Sequence, residues 1–195
     1  ININKKKKIF YLNSSFENDL KNLLATISII SIFTDIHKLK KNFFYGHKAT
    51  NGRGDVVKLK LFRKFFYLVD ESYNSNPLSL KSALKNFDLI KVDNAKKHLV
   101  LGDMLELGKY SKKLHIEIGK SINKTSLKNV NVIGKHVKWI FNNVNKSKKG
   151  IILNKKSQII DLIKNTLSNN DYLMIKGSNS TGLNSLANQI KTGKI

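Results

Sequence analysis

Apolar runs and amphipathic segments alternate along most of the chain. Short, largely apolar runs with the length and composition of buried strands occur at residues 65–69, 98–101, 130–133, 150–153 and 172–175. Apolar residues three and four positions apart predict helices that begin at Asn76-Pro77 or span residues 111–123, 137–144, 157–167 and 183–190. This alternation predicts an α/β fold: a doubly wound, mostly parallel sheet covered by helices on both faces.

The N-terminal quarter of the chain has a different pattern. An apolar stretch at residues 9–12 indicates a strand end, and a helical pattern begins at Phe16. Asp35 is placed to cap a second, short helix that carries Leu39 and Phe43. These elements precede the alternating part of the chain and predict a separate structural unit.

Residues 46–55 are the best candidate for a linker because they are rich in glycine and polar residues. We therefore divide the chain into residues 1–45, a hinge over residues 46–55, and a domain over residues 56–195. Residues 23–33 would expose an apolar helix face without partners, so we expect that part to promote aggregation.

The composition excludes several classes of protein. There is no cysteine, which rules out disulfide frameworks, thiolate zinc sites and cysteine nucleophiles. No apolar run approaches the roughly 20 residues of a membrane span. The basic cluster at residues 1–8 has no apolar segment behind it of the kind that a signal peptide requires. We expect a soluble, monomeric, cytoplasmic protein without a membrane partner.

The net charge of +23 and the pI of about 10.1 would by themselves indicate a nucleic-acid-binding protein. Only Arg53 and Arg63 are arginines, however, and the other 34 basic residues are lysines that are spread along the chain. The chain also has 24 Asn and 22 Ile, and all three residue types have A/T-rich codons. We therefore expect no nucleic-acid partner. The alternative is a non-catalytic basic α/β module that binds nucleic acid or an acidic partner.

Polar segments follow the predicted strands, at the sheet edge where doubly wound domains bind ligands. The segment DESYNSNP, residues 70–77, joins a strand to a helix and offers carboxylates, a phenol and amides that suit a ribose and an adenine ring. It is equally explained as a polar helix-capping loop. Lys176-Gly177-Ser178 suits a phosphate or carboxylate, or holds a solvated lysine.

Three further segments carry candidate chemistry. In GDMLELG, residues 102–108, Asp103 and Glu106 suit a metal or an amine, although a turn with packed apolar residues is the commoner outcome. Arg53, flanked by two glycines, is either a ligand contact or an incidental charge in a hinge. His115 is more often a buried structural histidine than a catalytic one.

Together these segments resemble the Mur ligase family. VDESYNSNPLSLKSAL resembles the family's D-[DE]-S-Y-N-A-N-P signature. LVLGDMLELGKYSKKLH resembles its V-L-G-D-M-x-E-L-G segment with a later His, and YLMIKGSNS resembles its L-V-K-G-S-R segment. The three motifs occur in the family's order, and the resemblance runs over roughly residues 16–190.

The resemblance implies a Rossmann-like C-terminal domain, preceded by a helical remnant of the family's central ATPase domain. It also implies the activity of an ATP-dependent ligase of cell-wall synthesis, which joins D-Ala-D-Ala to UDP-MurNAc-tripeptide through an acyl phosphate. ATP and Mg²⁺ are the implied cofactors. The family's P-loop, magnesium ligands and catalytic residues have no counterpart here, so we expect this chain alone to be inactive.

The resemblance also implies roles for individual residues. The residues that match nucleotide contacts of the family, with the neighbouring polar positions, are Asn22, Arg53, Glu71, Tyr73, Asn74 and Asn76. Those expected to contact the substrate are Asp103, Glu106, Lys176 and Ser178. No metal ligand and no catalytic residue is predicted within this chain.

Overall fold

The computed structural model describes residues 1–3, 5–12, 17–46 and 51–195. The chain divides into two compact units, Ile1–Ala49 and Thr50–Ile195. The predicted helix start at Phe16 and residues 47–50 of the predicted hinge lie outside the described residues. Within the part of the chain that the structure describes, none of the helices has the length and apolar content that a membrane crossing requires.

The first unit is small. Strands β1 (Asn2–Ile3) and β2 (Lys6–Lys7) pair antiparallel, and helix α1 spans Glu17–Phe33. The predicted second helix is a single 3₁₀ turn, Ile36–Lys38. The Asp35 side chain caps this turn by accepting the backbone N–H of His37 at 2.9 Å. The buried core of the unit consists of Leu23, Ile27, Ile36 and Phe44.

Two sequence predictions for this unit are wrong. Residues 9–12 form no strand. Leu39 and Phe43 are not helical, because the turn that Asp35 caps ends at Lys38 and Leu39 already has extended backbone angles.

The second unit contains a six-stranded sheet. Its strands are β3 (Asp55–Leu61), β4 (Lys64–Glu71), β5 (Lys97–Gly102), β6 (Val130–Ile133), β7 (Lys149–Leu153) and β8 (Tyr172–Lys176). The spatial order is β3-β4-β8-β5-β6-β7, and every neighbouring pair is parallel except β3 and β4. The predicted α/β class and mostly parallel sheet are confirmed.

Helices cover both faces of this sheet. They are α2 (Pro77–Leu89), α3 (Ser111–Asn123), α4 (Lys138–Asn142), α5 (Ser157–Asn165) and α6 (Leu183–Thr192). One apolar cluster joins the sheet to α2, α3 and α4, and a second joins its other face to α5 and α6. Burial of these two layers supplies the main free energy that holds the unit together.

Strand β3 was not predicted. Its sequence DVVKLKL alternates between half-buried and exposed positions, as an edge strand does. The first residue, Asp55, falls in the predicted hinge, and the lysines interrupt the apolar run that a buried strand would have. The antiparallel β3–β4 hairpin therefore adds an edge to the predicted parallel sheet.

Candidate functional site

The carboxyl ends of three neighbouring strands bring the predicted motifs together. Glu71 of β4 is paired with Lys176 of β8, and Lys176 with Leu101 of β5. The loops that follow these strands surround an open cleft of about 430 Å³. Its lining residues are Tyr73, Asn74, Glu106, Ser178, Asn179 and Ser180.

Two glycines allow the loops after β5 and β8 to approach each other. A Cβ at Gly177 would lie 2.8 Å from Cδ1 of Leu183 and 3.2 Å from the Cα of Gly102. The first contact is with the movable end of a side chain and the second is with backbone, so a Cβ here would push the two loops apart by a few tenths of an ångström.

Lys176 connects two parts of the site through hydrogen bonds of its side chain. Its side chain is 2% exposed, and its Nζ donates to Oε2 of Glu71 at 3.2 Å, to the Asn74 carbonyl at 2.9 Å and to the Glu71 carbonyl at 3.4 Å. Three acceptors match the three N–H groups of an ammonium ion. The lysine therefore fixes the loop after β4 against β8.

Burial acts against both charges of this pair. It raises the pKa of Glu71, and the nearby Lys176 ammonium opposes that change. Burial also lowers the pKa of Lys176, and the Glu71 carboxylate opposes it. Each charge thus offsets part of the cost of burying the other.

Ser178 and Asp103 join further loops to this centre. The Ser178 hydroxyl donates to the Ser75 carbonyl at 3.2 Å and accepts the Leu105 N–H at 2.9 Å. The Asp103 carboxylate accepts the backbone N–H groups of Lys135 at 3.0 Å and Val137 at 2.6 Å. Both side chains are buried and engaged by the protein itself, an arrangement that sequence reasoning did not anticipate.

His115 supports the same region from below. Its Nδ1–H donates to the Ser111 carbonyl at 2.7 Å, and its Nε2 accepts the Met104 N–H at 3.2 Å. The ring is fully buried, and burial lowers its pKa. Because its Nε2 accepts the Met104 N–H, the histidine holds the backbone of the loop after β5.

Residues 51–54 form an arginine turn that is attached to the loop after β4. The Gly52 carbonyl accepts the Tyr73 N–H at 3.0 Å, and the Gly54 N–H donates to the Asp70 carbonyl at 2.8 Å. Gly52 has φ +78°, and a Cβ there would lie 2.8 Å from the Tyr73 nitrogen. The turn presents the Arg53 guanidinium over the Tyr73 ring, with Cζ 4.5 Å from the ring centroid.

The remaining predicted site residues have distinct positions. The Asn76 side chain accepts the Ser79 N–H at 2.8 Å and caps α2, as the Asn-Pro pair predicted.

Asn74 is exposed, and its side chain accepts the Ser75 N–H at 2.7 Å. Glu106 is exposed at the cleft with φ +62°. Asn22 lies on α1 in the first unit, where its carbonyl accepts the hydroxyl of Thr26.

Four residues near the site were not among the predicted site residues. Asn179 and Ser180 line the cleft, and both belong to the segment YLMIKGSNS that carries part of the family resemblance. Asp55 and Lys191 form ion pairs beside the arginine turn. Lys191 carries no sequence signal, because it is one lysine among 34.

Within the described part of the chain, the charged side chains near the cleft form no cluster of metal ligands. Among the residues that the structure describes, no three His, Asp or Glu side chains come together as possible ligands. The site is instead built from single charged groups, amides and hydroxyls.

A family model for the Mur ligase glutamate ligase domain matches residues 52–179, about two thirds of the chain. The chain belongs to the Mur ligase family. The match includes the loops after β4 and β5, the start of the loop after β8 and residues 52–54 of the arginine turn. The Mur ligase resemblance of the sequence motifs is thereby confirmed.

Curated Mur ligases resemble the chain over most of its length. It is 26% identical over 187 residues to the UDP-N-acetylmuramoyl-tripeptide–D-alanyl-D-alanine ligase of Rickettsia prowazekii. The aligned region covers 91% of this chain and 40% of that protein. The enzyme of the same name from Haemophilus influenzae is 32% identical over 179 residues, covering 86% and 35%. The chain thus spans about two fifths of the length of the relatives that it matches.

Solved Mur ligase structures share the fold. MurF from Acinetobacter baumannii superposes with a TM-score of 0.75 at 20% identity, over 94% of this chain and 40% of that chain. MurF from Thermotoga maritima, solved in complex with ADP, gives a TM-score of 0.70 at 20% identity, over 96% and 46%.

Proposed function

We propose that this chain supplies the C-terminal part of an ATP-dependent ligase that joins D-Ala-D-Ala to UDP-MurNAc-tripeptide in peptidoglycan precursor synthesis. The names of its curated relatives support this reaction, and the ADP complex of a structural neighbour supports a nucleotide. The observation that carries the proposal is the cleft itself, where all three family motifs meet at one edge of the sheet.

One side of the cleft suits a nucleotide. Arg53 is exposed and stacked on the half-exposed ring of Tyr73, so its guanidinium is oriented for a phosphate. The Glu71 carboxylate uses Oε2 to accept from Lys176, and Oε1 is free of that bond and suits a ribose hydroxyl. Asn74 adds an exposed amide, while Asn76 acts through the α2 cap.

The other side of the cleft suits an amine and a peptide carboxylate. Glu106 is an exposed carboxylate that would attract the ammonium group of the dipeptide before the reaction. Ser178, Lys176 and Asp103 act on the substrate through the loops that they join, because their polar atoms already bond to this protein. Asn179 and Ser180 add polar groups at the rim.

When bound, ATP would supply the phosphoryl group that activates the terminal carboxylate of the tripeptide. The residues of this chain would orient the nucleotide, neutralise phosphate charge through Arg53 and position the dipeptide amine. No three His, Asp or Glu side chains meet among the described residues, and in this proposal the ion is held mainly by other parts of the enzyme.

The test is release of phosphate from ATP with magnesium, UDP-MurNAc-tripeptide and D-Ala-D-Ala present. We expect no release by this chain alone, and release that depends on D-Ala-D-Ala when the N-terminal part of the Rickettsia prowazekii relative is added. Arg53→Ala should lower the combined rate by about 10²-fold, the typical loss for one transition-state donor.

Arg63→Ala is the matched control, since Arg63 is the other arginine and lies in the exposed turn between β3 and β4. It should leave the rate within about twofold, because a surface charge far from the chemistry contributes little. A folded mixture of the two parts that releases no phosphate would contradict the proposal. Equal losses of rate in Arg53→Ala and Arg63→Ala would also contradict it.

A further inference from the structure

A triad of charges, one buried and two partly buried, lies beneath the arginine turn. Lys191, in the last turn of α6, places its Nζ 2.5 Å from Oδ2 of Asp55 and 2.5 Å from Oδ2 of Asp70. The side chains of Lys191, Asp55 and Asp70 are 13%, 18% and 0% exposed. This lysine lies beyond residues 52–179, which the family model matches.

The two aspartates require a cation between them. Asp55 and Asp70 are directly opposed residues of the antiparallel β3–β4 pair, so their side chains lie on the same face of the sheet. Like charges at opposed positions repel, and the repulsion grows as water is excluded. Lys191 accounts for the stability of this arrangement because it contacts both carboxylates.

Each aspartate uses its other carboxylate oxygen to hold one of the two segments that carry Arg53 and Tyr73. Oδ1 of Asp55 accepts the Gly52 N–H at 2.8 Å, at the start of the arginine turn. Oδ1 of Asp70 accepts the Ser72 N–H at 3.0 Å and the Ser72 hydroxyl at 2.5 Å, in the loop that carries Tyr73. The triad therefore connects α6 to both partners of the Arg53–Tyr73 stack.

We propose that Lys191 is a positioning residue that holds the arginine turn and the loop after β4 in register, so that Arg53 and Tyr73 meet a nucleotide together. The claim that Arg53 and Tyr73 meet a nucleotide rests on the proposed function. The claim that Lys191 positions the two segments rests on the triad alone. Without the ammonium group, the two carboxylates separate, Gly52 loses its acceptor and the stack loosens.

The experiment compares Lys191→Met with Lys191→Arg in the full chain. Methionine keeps the apolar stem and removes the charge, whereas arginine keeps the charge. Lys194→Met is the matched control, because Lys194 is exposed and only three residues away. Hydrogen exchange is followed by NMR at the amides of Gly52 and Ser72, with Leu99 and Val132 as reporters of the core.

We expect exchange at Gly52 and Ser72 to accelerate at least about tenfold in Lys191→Met, because charged hydrogen bonds are lost locally. The core amides should change much less, and Lys191→Arg should restore protection to within about threefold. Unchanged protection at both amides in Lys191→Met, or an equal acceleration in the core, would overturn the inference.

Titration with ADP separates this inference from the proposed function. If wild type binds ADP, Lys191→Met should weaken binding about tenfold and Lys194→Met should not. Failure of wild type to bind ADP counts against the proposed function, while the exchange data still decide the role of Lys191. If Lys191→Met does not fold, Lys191→Met/Asp70→Asn removes the repulsion between the carboxylates together with the cation, so this double variant should fold; its failure to fold would overturn the inference.

Discussion

The two compact units differ in how completely they cover their apolar side chains. In residues 50–195, large side chains such as Phe66, Phe87 and Leu99 are at most 1% exposed, and two apolar layers enclose the sheet. Among the described residues of the first unit, the core contains four buried side chains, while Ile32 and Phe33 are 76% and 82% exposed.

This difference shows what a sheet provides that a single helix does not. A helix buries one stripe and leaves the rest of its surface to other elements, whereas a central sheet buries both of its faces. Stabilisation grows with the apolar area that is removed from water. We therefore attribute most of the stability of the chain to residues 50–195.

The largest predicted effect contrasts two neighbouring phenylalanines of β4. Phe66→Ala should lower the free energy of unfolding of the second unit by about 3–5 kcal/mol, because Phe66 is fully buried and its removal leaves a cavity. Phe65→Ala should cost about 1 kcal/mol or less, because Phe65 is 44% exposed. Urea unfolding followed by the fluorescence of Trp139, the only tryptophan, measures both. Equal losses would contradict the two-layer description.

A smaller effect comes from two buried histidines of the same unit. Burial lowers the pKa of His98 and of His115 below the usual 6.5, although Asp171 and the Ser111 carbonyl oppose the change. The unfolded chain takes up protons near pH 6.5, while the folded chain resists them. This contribution to stability is thus complete above pH 6.5 and declines as the pH falls below it, by at most about 1.4 kcal/mol per pH unit for each histidine.

The measurement is the free energy of unfolding between pH 7.5 and 5 for wild type and His98→Gln. The difference between the two curves isolates His98 from the carboxylates that titrate nearby. Wild type should lose more stability than the variant as the pH falls. Parallel curves would show that His98 keeps its ordinary pKa after folding.

Most of the second unit could be predicted from its sequence because its central strands are buried on both faces. Runs such as residues 130–133 and 172–175 are almost entirely apolar, and the Asn76-Pro77 pair marks the start of α2 to the residue. Strand β3 was missed because an edge strand alternates with lysine and resembles a polar connection. The sequence pattern of the first unit was less informative about secondary structure. Leu39 and Phe43 have the spacing of a helix face, but they do not belong to a helix.

The convergence of the motifs was predictable, and their internal chemistry was less so. Strand-end motifs predicted a meeting at the carboxyl edge of the sheet, and the topology brings them together there by placing β8 between β4 and β5. Sequence could not reveal that Lys176 and Asp103 bond to backbone groups, because that depends on which loops lie within 3 Å. The pairing of Lys191 with two aspartates likewise exists only after α6 packs on the sheet.

The smallest predicted effect on stability concerns the exposed end of α1. Ile32→Ser/Phe33→Ser should change the free energy of unfolding of the first unit by no more than about 0.5 kcal/mol, because both side chains already lie in water. Ile27→Ser on the same helix is the control and should be far more costly, since Ile27 is 2% exposed. Thermal unfolding followed by circular dichroism measures all three proteins.

The same double variant should reduce self-association, because contiguous exposed apolar side chains promote it. Sedimentation velocity over a range of protein concentrations provides the second readout. Wild type should shift toward larger species as the concentration rises, and the variant should shift less. An identical concentration dependence would show that the apolar end of α1 does not drive association, and the contrast between the two units would then concern stability alone.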